Sequence, residues 1–341
     1  MKNTRNGMTP LRVFYARAAS KIEYIYMFNW KGFICGVVTS ATFGLIPLFT
    51  LPLFADGLNV PSILCYRFLL AAVLMGVFMA GTGRAFKVNR KEFGTLAGLS
   101  ILYIGSAVFL FWSYHYLASG IATTMMFLYP VFVALIMITV FKERNSIWTM
   151  LAILLAVSGV ALLSWNGKGG GVSWTGIALA VLSGLSYGIY IIAVNKSCVK
   201  DMSSTKLTFY LFVFTGIFLT LGTVLLGKFQ GVASPKGWTN LLLLAVIPTV
   251  ISNITLVAAI KAIGSTFASV LGAMEPVTAM TVGVCVFGEP FTRTTSLGVV
   301  LIIFAVTLVI MSPALEKGYR TGKFLYITKV KGIHPNIVPY H

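Results

Sequence analysis

The sequence predicts an all-α integral membrane protein whose ten transmembrane helices form two inverted five-helix repeats. Three observations carry this. Hydrophobic residues make up 57% of the 341 residues and charged ones 10%, against roughly 25% charged in ordinary globular domains. Apolar runs long enough to cross a bilayer, about 20 residues each, recur along the chain. The second half also repeats landmarks of the first in fixed register.

Bounded by charge, Gly or Pro, the runs fall at 32–54, 60–82, 93–116, 120–141, 147–165, 173–194, 207–227, 237–260, 265–287 and 293–312. Connections such as Ala55-Asp56-Gly57-Leu58-Asn59 and Ala118-Ser119 are short, so consecutive helices are expected to be antiparallel neighbours. They leave no room for a soluble catalytic domain. The pairs Gly32/Gly36 and Gly184/Gly188 are small-x-x-x-small faces for close helix approach.

The net charge of +18 would suggest nucleic acid in a soluble protein. Here its distribution is a topology signal. With the N-terminus inside, 21 of the 26 Lys and Arg fall on inner segments and 4 on outer ones, with Arg67 inside a span. Cytoplasmic residues carry the positive excess, so both termini are expected in the cytoplasm and the protein in the plasma membrane, a bacterial inner membrane. The segments 1–31 and 313–341 are basic cytoplasmic extensions. Residues 11–26 can form a basic amphipathic helix on anionic lipid; a start at Met27 is the other reading, since Phe28-Asn29-Trp30-Lys31 leads directly into the first span. No removable signal peptide is expected. Partners are the bilayer, with anionic lipid at the basic segments, and a small-molecule substrate; a homodimer is compatible with this reading, nucleic acid is not.

Aligning residues 114–163 with 260–309, a shift of 146, gives 12 identities in 50 without a gap. Pro130 falls on Pro276, Glu143 on Glu289, Ser119 on Ser265 and Phe141 on Phe287. A shift of 144 sets Gly32 and Gly44 on Gly176 and Gly188. The units are 32–165 and 173–312, joined by the glycine-rich stretch after Asn166. Five spans per unit is an odd number, so the second unit enters the membrane from the opposite side. Inverted repeats are a recurring plan of secondary transporters, with substrate near the midplane between the halves.

Three groups of residues then gain a specific resemblance. Tyr116-Leu117-Ala118-Ser119-Gly120-Ile121-Ala122 leads to Leu128-Tyr129-Pro130-Val131 and Lys142-Glu143-Arg144. Ala262-Ile263-Gly264-Ser265 leads to Met274-Glu275-Pro276-Val277 and Gly288-Glu289-Pro290-Phe291-Thr292. Arg67 stands early in the second span. Over 32–312 the chain resembles an EamA-type member of the drug/metabolite transporter superfamily. The resemblance implies ten helices, cytoplasmic termini, and alternating-access exchange or proton-linked movement of small metabolites, often amino acids or related compounds. A non-transporting membrane scaffold, or a nucleotide-sugar or organic-anion exchanger of the same superfamily, is the alternative.

Glu275 is the acidic residue within a span interior, where a charge costs at least ~2.5 kcal/mol. It is read as a protonatable coupling group or a site for a substrate ammonium, against a structural Glu beside a proline. At ~1.5 Å per residue, Arg67 lies roughly 10 Å and Glu275 roughly 18 Å below the outer ends of their spans, near enough for an ion pair if the helices are adjacent; Arg67 snorkelling outward without a partner is the other reading. Pro130 and Pro276 free carbonyls in mid-span, as kinks that gate or as packing curvature. Trp112, Tyr103, Tyr129, Tyr187, Tyr190, Asn253 and Ser269 are the polar and aromatic candidates for the cavity; each is alternatively packing, and Asn253 must find a partner. Glu143 and Glu289, at span ends on opposite faces, receive gating or structural roles from the resemblance. Pro248 has no counterpart, since the shift lands it on Leu102.

No enzyme is expected: the chain has three histidines and no H-E-x-x-H, P-loop or G-x-S-x-G signature. Cys35, Cys65, Cys198 and Cys285 are scattered, without metal or disulfide spacing, so no metal and no cofactor is expected.

Overall fold

A computed structural model describes residues 29–142, 146–164 and 173–331, with side chains throughout except at 164, 264–267, 269–270 and 317–331. Glu143 therefore lies outside the described residues, as do the side chain of Ser269, the interior of the glycine-rich stretch and residues 11–26.

The described regular structure is helical. In chain order it comprises α1 (Trp30–Gly44), α2 (Ile46–Ala55), α3 (Val60–Gly81), α4 (Arg90–Ser113), α5 (Ser119–Met126), α6 (Tyr129–Thr139), α7 (Ile147–Ser164), α8 (Trp174–Lys196), α9 (Ser204–Leu225), α10 (Pro235–Ala245), a π turn (Val246–Ile251), α11 (Ser252–Leu271), α12 (Met274–Phe287) and α13 (Arg293–Lys331). Eight segments are long and apolar enough to cross a membrane: Trp30–Ala55, Val60–Gly81, Arg90–Ser113, Ser119–Thr139, Trp174–Lys196, Ser204–Leu225, Pro235–Ile263 and Arg293–Glu316. Two shorter apolar helices, Ile147–Leu163 within α7 and Met274–Phe287, accompany them.

The starts follow from local chemistry. The first N–H groups of a helix lack intrahelical acceptors, so a side chain placed just before them supplies one. Asn29 accepts from Gly32 N at 3.1 Å, Asn59 from Ser62 N at 2.9 Å, Ser173 from Gly176 N at 3.4 Å and Ser234 from Gly237 N at 2.9 Å. The backbone N–H of Asn89 donates to the Glu92 carboxylate at 2.8 Å.

Four helix pairs form the frame: α1 with α11, α4 with α8, α3 with α9, and α7 with α13. Glycine lets the first two approach closely. A Cβ added at Gly32 would lie 2.6 Å from Ala262 Cβ, and one at Gly176 2.7 Å from the Cβ of Tyr116, in the turn that follows α4. Hydroxyls bind these pairs too: Thr39 Oγ1 shares its proton between Cys35 O at 2.8 Å and Ser252 O at 3.3 Å, and Ser183 Oγ donates to Ser106 O at 2.7 Å.

The chain after the π turn runs antiparallel to α1, from Ser252 opposite Thr39 to Ala262 opposite Gly32. It then returns, with Leu271 against Gly36 and Glu275 against Gly44. The reversal thus falls between Ile263 and Leu271. Helical backbone continues through it, past the end expected at 260, and the break comes at Gly272-Ala273.

Candidate functional site

The halves enclose a cavity of about 280 Å³. Five helix faces build most of its wall, and α9 adds Thr208 and Leu211. On α4, Tyr103, Ser106, Ala107, Leu110 and Phe111 line it, the i, i+3, i+4, i+7, i+8 stripe of one helix face. From α8 come Tyr187, Tyr190 and Ile191; from α11 Asn253, Leu256 and Ile260; from α3 Arg67 and Phe68; from α1 Thr39, Ser40 and Phe43. Tyr129 and Glu275 enter from the beginnings of α6 and α12.

Seven of the nine sequence candidates for substrate or coupling thus meet: Glu275, Arg67, Asn253, Tyr103, Tyr129, Tyr187 and Tyr190. The tyrosines form one aromatic wall. Tyr187 stacks on Tyr190 with centroids 5.6 Å apart and takes the edge of Tyr129 at 4.9 Å, while Tyr103 lies 5.5 Å from Tyr190. Trp112 does not join them. It is 41% exposed and absent from the wall, because each residue turns a helix by 100° and Phe111 already marks the stripe's edge.

Arg67 and Glu275 line one cavity but make no ion pair, which the depth argument allowed only if their helices were adjacent. Arg67, only 5% exposed, donates from Nε to Thr249 Oγ1 at 2.9 Å. Its guanidinium carbon stands 5.3 Å from the Phe68 ring centroid and 5.5 Å from that of Phe111, within the range of cation–π attraction. Among the described residues, none donates a hydrogen bond to the Glu275 carboxylate. Asn253 does find the partner its burial requires, donating from Nδ2 to Thr249 O at 2.6 Å.

Thr249 was not legible as a site residue. It sits in the π turn, one residue after Pro248, and binds both Arg67 through its hydroxyl and Asn253 through its carbonyl. The signal available in sequence was the unmatched Pro248 itself.

Pro130 and Pro276 open helices rather than bend them: each stands in the first turn of α6 or α12, after the breaks Phe127-Leu128 and Gly272-Ala273. First-turn N–H groups have no intrahelical acceptor, so a proline there forfeits no bond. The mid-span kinks expected from sequence are therefore interrupted helices. They deliver Tyr129 and Glu275, the residues just before the prolines, to the cavity.

Glu289 serves the start of α5. Its carboxylate accepts Ser119 N at 2.7 Å and Gly120 N at 3.4 Å. Gly288, at φ +66°, closes α12 in the left-handed conformation that glycine adopts without penalty, and the Glu289 N–H returns to Gly283 O at 2.9 Å. The carboxylate lies so close over Gly283 that a Cβ there would collide with it.

The sequence model of the EamA-like transporter family matches residues 30–165 and again 174–311. The chain belongs to the EamA-like transporter family. Among its curated relatives, an uncharacterized transporter of Archaeoglobus fulgidus is 27% identical over 273 residues, covering 72% of this chain and 97% of the relative. An uncharacterized transporter of Synechocystis sp. is 26% identical over 223 residues, covering 65% of this chain and 68% of the relative. A protein solved by crystallography superposes with a TM-score of 0.61 at 16% identity, covering 84% of this chain and 98% of its own, a likeness of fold. As a member of this family the chain is a membrane transporter with a small-molecule substrate.

Proposed function

We propose that this EamA-family member is a secondary active transporter for a small zwitterionic metabolite of amino-acid size. It works by alternating access, through exchange or proton coupling, between inverted five-helix repeats at 32–165 and 173–312 with both termini cytoplasmic. One observation carries the reading: a single cavity holds one guanidinium and one carboxylate that are not paired with each other, between aromatic rings. A carboxylate group of the substrate would meet Arg67, its ammonium Glu275, and its side chain the tyrosines. Ligand pockets for drug-sized molecules span about 300–1,000 Å³. A cavity of about 280 Å³ favours an amino-acid-sized substrate over a nucleotide sugar.

Duplicated contacts support the repeats. Ser183 follows Thr39 by 144 residues and Ser252 follows Ser106 by 146, and these four make the two reciprocal hydroxyl-to-carbonyl bonds. Gly32 faces Ala262 and Ile263 while Gly176 faces Tyr116 and Leu117; Gly44 faces Glu275 O while Gly188 faces Tyr129 O. Every partner obeys the same two shifts. Helix pairing obeys them as well, since exchanging the halves turns α1 against α11 into α8 against α4. Alternating access needs two halves that can exchange such contacts around a fixed site.

The test is counterflow in proteoliposomes with each of the twenty L-amino acids, alongside thermal unfolding in detergent, since a ligand raises the stability of the state it binds. Saturable counterflow for one or a few supports the reading; its absence for all twenty overturns it. Reporter fusions at both ends, expected to be active only in the cytoplasm, check the topology.

A further inference from the structure

We infer that Thr249 is a positioning residue that aims Arg67 into the cavity as a subsite for a planar carboxylate. The inference rests on the small-zwitterion reading and assigns one end of that substrate.

It begins at Pro248. Proline has no backbone N–H, so the carbonyl of Leu244, four residues earlier, loses its α-helical donor. The backbone widens into the π turn Val246–Ile251, and the Thr249 hydroxyl donates to Leu244 O at 2.8 Å. A hydroxyl has one proton. With that proton committed to Leu244, Thr249 Oγ1 can only accept toward Arg67, and it takes the Nε–H at 2.9 Å.

The consequence concerns the rest of the guanidinium. Of its five N–H donors in a fixed planar fork, one is spent on Thr249, and the rings of Phe68 and Phe111 lie against the group. The four donors on the two Nη atoms remain, with no hydrogen-bond acceptor among the described residues. Two parallel N–H groups match the two oxygens of a carboxylate. Thr249 is 1% exposed and forms no part of the cavity wall, so it acts on substrate through Arg67. Its place in the other half is taken by Tyr103, 146 residues earlier, which makes the device specific to one repeat. Without the hydroxyl, the Nε–H loses its acceptor and the guanidinium is free to turn toward Glu275.

The experiment has two arms. In protein carrying ¹⁵N-arginine in detergent, the Arg67 Nε–H signal is assigned by its loss in Arg67→Lys. Exchange of that proton with water should be slow in the parent and in Thr249→Ser, and about tenfold faster in Thr249→Val, as expected for loss of a hydrogen bond to a charged group. Thr249→Ala gives the same comparison should the valine variant fail to fold. In proteoliposomes, Thr249→Val should raise KM for amino-acid counterflow about tenfold while changing kcat far less, and serine should restore it. Carboxamides of the same amino acids, which lack the second oxygen and the negative charge, should compete poorly in the parent and nearly as well as the acids in Thr249→Val. Unchanged exchange of the Arg67 proton in Thr249→Val overturns the inference, as does equal competition by acids and carboxamides in the parent. Absence of all amino-acid counterflow by the parent overturns the transport reading instead, and the arginine exchange still decides the positioning role.

Discussion

The Glu289 carboxylate binds the backbone N–H of Ser119 at 2.7 Å, tying the segment after α12 to the start of α5, 170 residues earlier. It supplies from a distance the cap that Ala118, the residue before α5, has no side-chain oxygen to give.

Removing this cap should cost stability. Hydrogen bonds to charged groups contribute about 1.5–3 kcal/mol, so Glu289→Ala should lower stability by roughly 2 kcal/mol and Glu289→Gln by about half that. Thermal unfolding in detergent measures it; identical midpoints for all three proteins would show that the contact carries no load.

Close helix approach gives a second prediction, with its own control. A Cβ at Gly44 would stand 2.5 Å from Glu275 O, whereas one at Gly98 meets nothing within 4 Å. Gly44→Ala should therefore lose about 1–3 kcal/mol, the usual range for overpacking, and impair transport by displacing Glu275. Gly98→Ala should be neutral or gain up to ~1 kcal/mol. Equal tolerance at both positions would contradict the packing described for α1.

Glu275 is proposed to couple transport to protons. Glu275→Gln keeps the shape and removes the proton exchange, so it should abolish accumulation driven by a pH gradient while leaving exchange of substrate for substrate. Accumulation assays under an imposed gradient decide this, and full uptake by the glutamine variant would refute coupling through this carboxyl.

Among the aromatics the structure separates wall from periphery. Tyr187→Ala removes the ring that touches both Tyr129 and Tyr190 and should raise KM about tenfold, a loss of ~1.4 kcal/mol. Trp112→Ala should leave KM within about twofold, given that surface changes usually fall within ~0.5 kcal/mol. A large effect at Trp112 alone would reverse the assignment.

The helices were legible because the bilayer demands long apolar runs, and Arg67, Glu275 and the four tyrosines were legible because polar tips are conspicuous there. Trp112 was misjudged because composition says that a residue is aromatic, not which way its helix turns it. The Arg67–Glu275 ion pair was left open by the sequence for another reason: depth along the membrane restrains one coordinate only. Thr249 was hidden more deeply. A threonine in a span is ordinary, and its meaning arises from the proline beside it and from Arg67, 182 residues earlier. Pro130 and Pro276 were recognised as a pair, but not that each opens a new helix.

The glycines Gly44 and Gly188 receive corresponding partners, Glu275 in one case and Tyr129 in the other. In the proposed inverted-repeat reading the scaffold is duplicated while the electrical content of its centre is not. For a dipolar solute in the proposed transporter, the protein's own pole from Arg67 to Glu275 then fixes a direction in the membrane frame. The solute would keep that heading as the halves trade places, entering and leaving with one end foremost in one direction of travel and with the other end foremost in the reverse direction. Chemically different ends would therefore be handled in a set order, so the two directions of travel need not be equally fast although the framework that permits them is nearly symmetrical.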